Sequence, residues 1–205
     1  MSDRFLPRRD KVDAVLGKCE LRYDGFIKLS TCELSFTRSD GERVTLSREI
    51  HDHGEAICVL PVDRERRVAM LVRQLRAGAV YNGETDPMIL EVAAGLIDPG
   101  EEPETAVMRE AAEELGFRLS DLQQVAAYYV SPGTLTERIH AYLASYNLND
   151  CIGEGGGLED EGEDIIVEEI ALDELGEAVL QGSLRDAKTI MLIQHLMLSE
   201  PELFF

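Results

Sequence analysis

Basic residues are scarce in this chain: 20 lysines and arginines stand against 40 aspartates and glutamates, a formal charge of −20 over 205 residues. A surface with that balance repels nucleic acid and anionic membranes, so neither is expected as a partner. Long apolar runs are also missing. None approaches the roughly 18 residues that span a bilayer. The basic start "MSDRFLPRRDKVD" has no apolar stretch behind it and does not read as a secretory signal. Cysteine pairs are absent too. Cys19, Cys32, Cys58 and Cys151 are scattered with no C-x-x-C, neither a disulfide framework nor a zinc spacing. That usage suits a reducing compartment, and the cytoplasm is expected. His51, His53, His140 and His195 form no ligand set, and there is no repeat or low-complexity tail.

What is present is an ordinary globular composition, 44% apolar and 29% charged, long enough for one α/β domain with an appended element. Strands are expected at Phe26–Thr37, at "RVTLSREI", at "AICVLPV" and "RVAMLVRQ" around the turn "DRERR", and at Met88–Ala93. Further strands are expected at Val125–Val130, Ile139–Tyr146 and "IIVEEIAL". Helices are expected at "LDELGEAVLQG" and Arg185–Leu198. The three consecutive glycines in "GEGGGLEDEGED" predict a mobile loop. The pattern predicts a mixed α/β domain over residues 51–205. Residues 1–50 read as a β-rich N-terminal element that serves dimerisation.

One helix breaks local rules. "EPETAVMREAAEELG" starts with Pro103 at its first position and stops at Gly116. Val107, Met108, Ala111 and Leu115 share a buried arc, and Glu110, Glu113 and Glu114 crowd the arc beside it. Like charges at these spacings cost a few tenths of a kcal/mol per pair. Acids at the carboxyl end oppose the helix dipole by roughly 0.3–1 kcal/mol each. In an acid-rich chain a solvated acidic face is one reading. The other is a site for a hard cation, because Mg²⁺ takes oxygen ligands from a few carboxylates and keeps its waters.

The preceding loop separates the two. Gly95, Glu101, Arg109, Glu110, Glu113, Glu114 and Gly116, with Phe117 apolar after them, resemble the Nudix hydrolase signature G-x5-E-x7-R-E-U-x-E-E-x-G-U, in which U is apolar. All seven fixed residues match, and Ala111 is a small occupant of the other apolar position. Chance would align them in on the order of one such chain in fifty thousand, which favours the cation site.

The resemblance implies an α/β/α sandwich with a mixed sheet, and cleavage of a nucleoside diphosphate linked to another group with Mg²⁺ or Mn²⁺. By position it makes Glu110 and Glu114 the main metal ligands, joined by Glu113, the carbonyl of Ala94 and Glu163. Gly95, Glu101, Arg109 and Gly116 become structural residues of the signature, with Arg109 and Glu101 paired. Beyond it, "LVRQLRAG" (Arg73, Arg76), "LEVAAG" (Glu91) and "SPGTLTER" (Pro132, Gly133, Thr134) fall where the ADP-ribose and sugar-nucleotide branch contacts substrate. "GGGLEDE" and "RDAKTIMLI" are similar to bacterial GDP-mannose pyrophosphatases. The general base is implied within "LEDEGED": Glu159, Glu161 and Glu163 are open, with Glu161 preferred, and Glu113 and Glu163 are counted with it as catalytic. The expected substrate is a small nucleotide sugar of the GDP-mannose type, with ADP-ribose as the alternative. A homodimer is expected, and a non-catalytic nucleotide-sugar sensor is the reading from another class.

Overall fold

The computed structural model describes residues 13–158 and 162–205. Two compact units divide them: one takes in residues up to His53 together with Tyr129–Glu137, the other Gly54–Tyr128 with Arg138–Phe205.

The first unit is a three-stranded antiparallel sheet of β1 (Ala14–Asp24), β2 (Lys28–Thr37) and β3 (Arg43–Asp52), in the order β1-β2-β3. Strand β1 has no clean alternation and escapes a pattern search. Its pairing with β2 sets Cys19 opposite Cys32, and the two are joined in a disulfide. This corrects the expectation of four unpaired thiols: thirteen residues of separation hide a direct cross-strand pair until β1 is recognised. Cys58 and Cys151 are free. The Ser131–Glu137 turn docks on β3, where His51 N–H donates to the Thr134 carbonyl (2.9 Å) and Thr136 N–H to the His51 carbonyl (3.0 Å).

The second unit is built around β4 (Ala56–Asp63), which is buried along its whole length. Alternate residues of a strand face opposite sides. Cys58, Leu60 and Val62 point into one apolar cluster, Ile57 and Val59 into another. Strands β5 (Val68–Leu75) and β9 (Arg138–Ser145) split the same way, Leu71 and Leu143 to the first cluster, Met70 and Tyr142 to the second. The first cluster is closed by Leu172 and Leu175 of α3 (Leu172–Gln181) and by Leu192, Ile193 and Leu196 of α4 (Ala187–Ser199). The second is closed by Ala106 and Val107 of α2 (Pro103–Glu110) and by Ala111 and Leu115 beyond it. A mixed sheet thus lies between helices, each fully buried Leu or Ile contributing on the order of 1.5–3 kcal/mol.

The sheet runs β10-β5-β4-β9-β8, with β8 at Ser120–Tyr129 and β10 at Ile166–Ala171. Pairing of β4 with β9 is parallel, and β10 with β5 antiparallel. Strands β4 and β5 pair only at Val62↔Ala69 and Asp63↔Val68, then part. Into the fork come β6 (Met88–Glu91), paired with β5, and β7 (Ala93–Leu96), paired with β4. The single strand expected over Met88–Ala93 is therefore two, changing partners at buried Val92. A short helix α1 (Ala77–Tyr81), with no buried residue and no apolar period to announce it, follows β5. No helix among the described residues is long and apolar enough to cross a membrane.

Candidate active site

Pro103 opens α2 with Glu104 in its first turn, favourable at the positive end of the dipole. The α-helix expected to continue to Leu115 does not. From Ala111 to Leu115 the chain makes a wider π-helical turn, with the Gly116 N–H returning to the Ala111 carbonyl. Gly116, at φ 73°, ends it in the left-handed region. The three glutamates therefore sit where the helix changes its winding, while Ala111 and Leu115 stay in the core.

Arg109 holds this end together. It binds Glu101 through two hydrogen bonds of 3.1 and 3.0 Å, the Leu96 carbonyl at 3.0 Å, Glu110 at 2.7 Å and Glu113 at 3.2 Å. Hydrogen bonds from Arg109 hold the Glu101 carboxyl below its ordinary range. Glu101 also accepts from the Asp98 N–H at 3.0 Å, tying the loop to the helix. At Gly95, an added Cβ would lie 1.9 Å from a Glu110 oxygen, so this glycine makes room for that carboxylate.

Glu114 differs from the rest. Its side chain is buried at 2% exposure and accepts from the Ala94 N–H at 3.2 Å. Burial, and next the charge of Glu110, push its carboxyl up to about 8. Burial also raises Glu110 despite the Arg109 contact, and the charge of Glu163 adds to both. Arg109 beside Glu110 and Arg76 near Glu114 only partly offset that burial, so both carboxyls stay above their ordinary range. The donor set, all oxygen, fits a hard divalent cation. Among the described residues no three such side chains form a ready coordination shell, because Glu110 and Glu113 lean on Arg109. Glu159 and Glu161 lie outside the described residues.

In the same unit is a cleft of about 400 Å³ lined by Arg76, Asn82, Glu91, Arg185, Asp186 and Lys188 among others. Arg76 makes a two-pronged pair with Glu91, at 2.6 and 2.9 Å, and is close enough to Glu114 to lower its pKa. Lys188 bridges Glu91 (3.1 Å) and Asp186 (2.7 Å). Asp186 caps α4 by accepting from the Thr189 N–H at 2.9 Å, and accepts from the Thr189 hydroxyl at 2.6 Å. That hydroxyl accepts from the Val92 N–H at 2.8 Å, so the head of α4 is fastened to the switch between β6 and β7. Arg73, by contrast, pairs with Glu168 of β10 at 2.6 and 3.2 Å. Pro132, Gly133 and Thr134 belong to the first unit, with the Thr134 hydroxyl donating to the Glu49 carbonyl at 3.1 Å.

Lys188, Asp186 and Arg185 are not among the residues expected at the site. Their signal was there: "RDAKT" sets charged residues at the head of an otherwise apolar helix, a poor place for them unless they face a polar cleft.

A mixed sheet between helices, with a glycine loop feeding an acid-bearing helix, defines a Nudix-type hydrolase domain. The NUDIX domain matches residues 52–192, and the chain belongs to that family. It is 41% identical to a GDP-mannose pyrophosphatase of Cronobacter sakazakii (strain ATCC BAA-894), over 88% of this chain and 93% of that one. A GDP-mannose pyrophosphatase of Escherichia coli O157:H7 is 34% identical over 89% of this chain and 94% of its own. Among solved structures, the fold is shared with one described as an ADP compounds hydrolase, at TM-score 0.64 and 21% identity, covering 91% of this chain and 95% of that one.

Proposed function

We propose that this chain hydrolyses the pyrophosphate bond of a nucleoside diphosphate sugar of the GDP-mannose type, with Mg²⁺ as its cation and Mn²⁺ as a substitute. The observation that carries the reading is the buried Glu114 beside Glu110 and Glu163, next to a cleft lined by Arg76, Arg185 and Lys188. In this reading Glu110, Glu114, Glu113, Glu163 and the Ala94 carbonyl hold the cation. Bound there, it would neutralise phosphate charge and lower the pKa of a water.

The chain's own residues do the rest. Arg76 and Lys188 are the positive charges that bring a polyanion to a protein of net charge −20. Glu91 contacts both of them and ties the two side chains to one point of the cleft. Arg73, Pro132, Gly133 and Thr134 keep the substrate-contacting role implied by position. Glu161 takes the proton from the attacking water, one P–O bond of the bridge breaks, and a nucleoside monophosphate and a sugar phosphate leave. A homodimer and a cytoplasmic location belong to the same reading, the second without the cysteine argument, which the Cys19–Cys32 disulfide removes. The exposed Val15, Leu16, Leu21 and Tyr23 of β1 support the first.

Turnover of GDP-mannose, ADP-ribose, ADP-glucose, NADH and coenzyme A, compared at saturating Mg²⁺, tests the substrate. GMP release from GDP-mannose is expected to exceed AMP release from ADP-ribose by at least about tenfold in kcat/KM, a difference of ~1.4 kcal/mol in transition-state binding. The reverse ranking would reassign the substrate. Tight binding of one compound without turnover of any would make the chain a sensor.

A further inference from the structure

The glycine run is hydrogen-bonded to the carboxylate helix. Helix ends leave carbonyls without partners. Here Gly156 N–H donates to the Glu114 carbonyl (2.8 Å) and Gly157 N–H to the Glu113 carbonyl (3.1 Å). Ile152 and Gly153 N–H groups donate to the Gly116 carbonyl at 2.8 and 3.1 Å. Gly155, Gly156 and Gly157 all have positive φ, at 68°, 106° and 79°. This turns successive N–H groups toward one helix end, a conformation that side chains resist. The approach is close: a Cβ on Gly155 would lie 2.4 Å from the Glu114 carbonyl oxygen.

The same run receives Glu163. Leu158 N–H donates to a Glu163 carboxylate oxygen at 3.0 Å, and Glu163 N–H returns to the Leu158 carbonyl at 3.3 Å. The Glu163 side chain occupies the space over Gly157, where a Cβ would stand 2.4 Å from the carboxylate oxygen and 2.8 Å from Glu163 Cβ. Gly153, four residues earlier, has nothing within 4 Å of such a Cβ.

We propose that Gly157 is a positioning residue for the cation site: on a loop clipped to the Glu113 and Glu114 carbonyls, its missing side chain leaves the place from which Glu163 joins Glu110 and Glu114. The proposal rests on the reading that Glu163 is part of that site. A ligand on a flexible loop would bring its carboxylate at an entropic cost with every binding event. Here the loop's own N–H groups fix it beforehand, on the backbone of the residues it works with.

Mn²⁺ binding to the full chain without nucleotide, followed by electron paramagnetic resonance of the free ion, tests this, with thermal melting to show that each variant folds. Gly157→Ala is expected to weaken Mn²⁺ binding by about 10–100-fold, as loss of a supporting group does at metal sites. Gly153→Ala should leave it unchanged. Because Gly157 acts through Glu163, Gly157→Ala added to Glu163→Gln should weaken binding no further than Glu163→Gln alone. Unchanged binding by Gly157→Ala, or additive losses in the double variant, would overturn the positioning role while leaving Glu163 in the site. Wild-type binding by Glu163→Gln would instead remove Glu163 from the site, and the proposal with it. Should Gly157→Ala not fold, Glu163→Asp keeps the charge but is too short for the Leu158 contact. It must then weaken binding by about tenfold, and wild-type binding by it would overturn the proposal.

Discussion

Glu114→Gln is expected to lower kcat on GDP-mannose by about a thousandfold or more with the fold intact. A metal-held transition state is worth several kcal/mol, and ~4 kcal/mol is about three powers of ten in rate. The amide keeps the shape and an oxygen for the Ala94 N–H, and removes only the charge. Stability should move the other way in metal-free protein. The Glu114 carboxyl is pushed from an ordinary 4.5 to about 8, by burial first and then by Glu110. Between those values the folded state binds more protons than the unfolded one, so the group's contribution to stability is full below 4.5 and is lost as pH rises to about 8. In EDTA, Glu114→Gln should therefore melt above the wild type at pH 8, with the gap closing toward pH 5. Mg²⁺ should raise the melting temperature of the wild type more than that of the variant. Near-wild-type turnover by Glu114→Gln would remove this residue from the mechanism.

Glu91→Ala should be the most destabilising change in the cleft. Glu91 is 3% exposed and is the shared partner of Arg76 and Lys188. Removing it leaves Lys188 with Asp186 alone and Arg76, 43% exposed, to solvent. The cost is therefore expected at about 2–3 kcal/mol, below the roughly 3–5 of a fully buried pair, and for a chain of this size that is a fall in Tm of about 5–10 °C. KM should rise in the surviving fold, because Arg76 and Lys188 lose the anchor that aims them. Glu91→Gln keeps the packing and one acceptor, so a smaller fall is expected. A melting temperature within a degree of wild type for Glu91→Ala would show that Asp186 alone suffices for Lys188.

These expectations rest on contacts that differ in how far the sequence disclosed them. The acid-bearing helix was legible because seven residues at fixed spacing mark it and the loop before it, and the main strands because β4, β5 and β9 each carry a short apolar run. What stayed hidden depended on partners distant in sequence. Cys19 and Cys32 become neighbours only through the β1–β2 register, and β1 lacks the alternation that would reveal it. The change of partner at Val92 follows from the splaying of β4 and β5, which no local pattern encodes. The π-helical turn is equally silent, since Ala111–Leu115 reads as ordinary helix. The path of the glycine run was not legible for a general reason. Glycine's freedom leaves the backbone's path open, and the contacts that direct it, the carbonyls of Glu113 and Glu114, lie more than forty residues earlier in the chain. Lys188 was visible but uninterpretable until Glu91 and Asp186 stood on either side of it.

The glutamates of the signature helix are proposed as a cation site that drives pyrophosphate cleavage. GMP release from GDP-mannose by the metal-free protein, measured before and after Mg²⁺ is added back, tests it most directly. No release above background is expected in EDTA, and full recovery with excess Mg²⁺. Release undiminished in EDTA would contradict it, and would leave the buried Glu114 without a purpose.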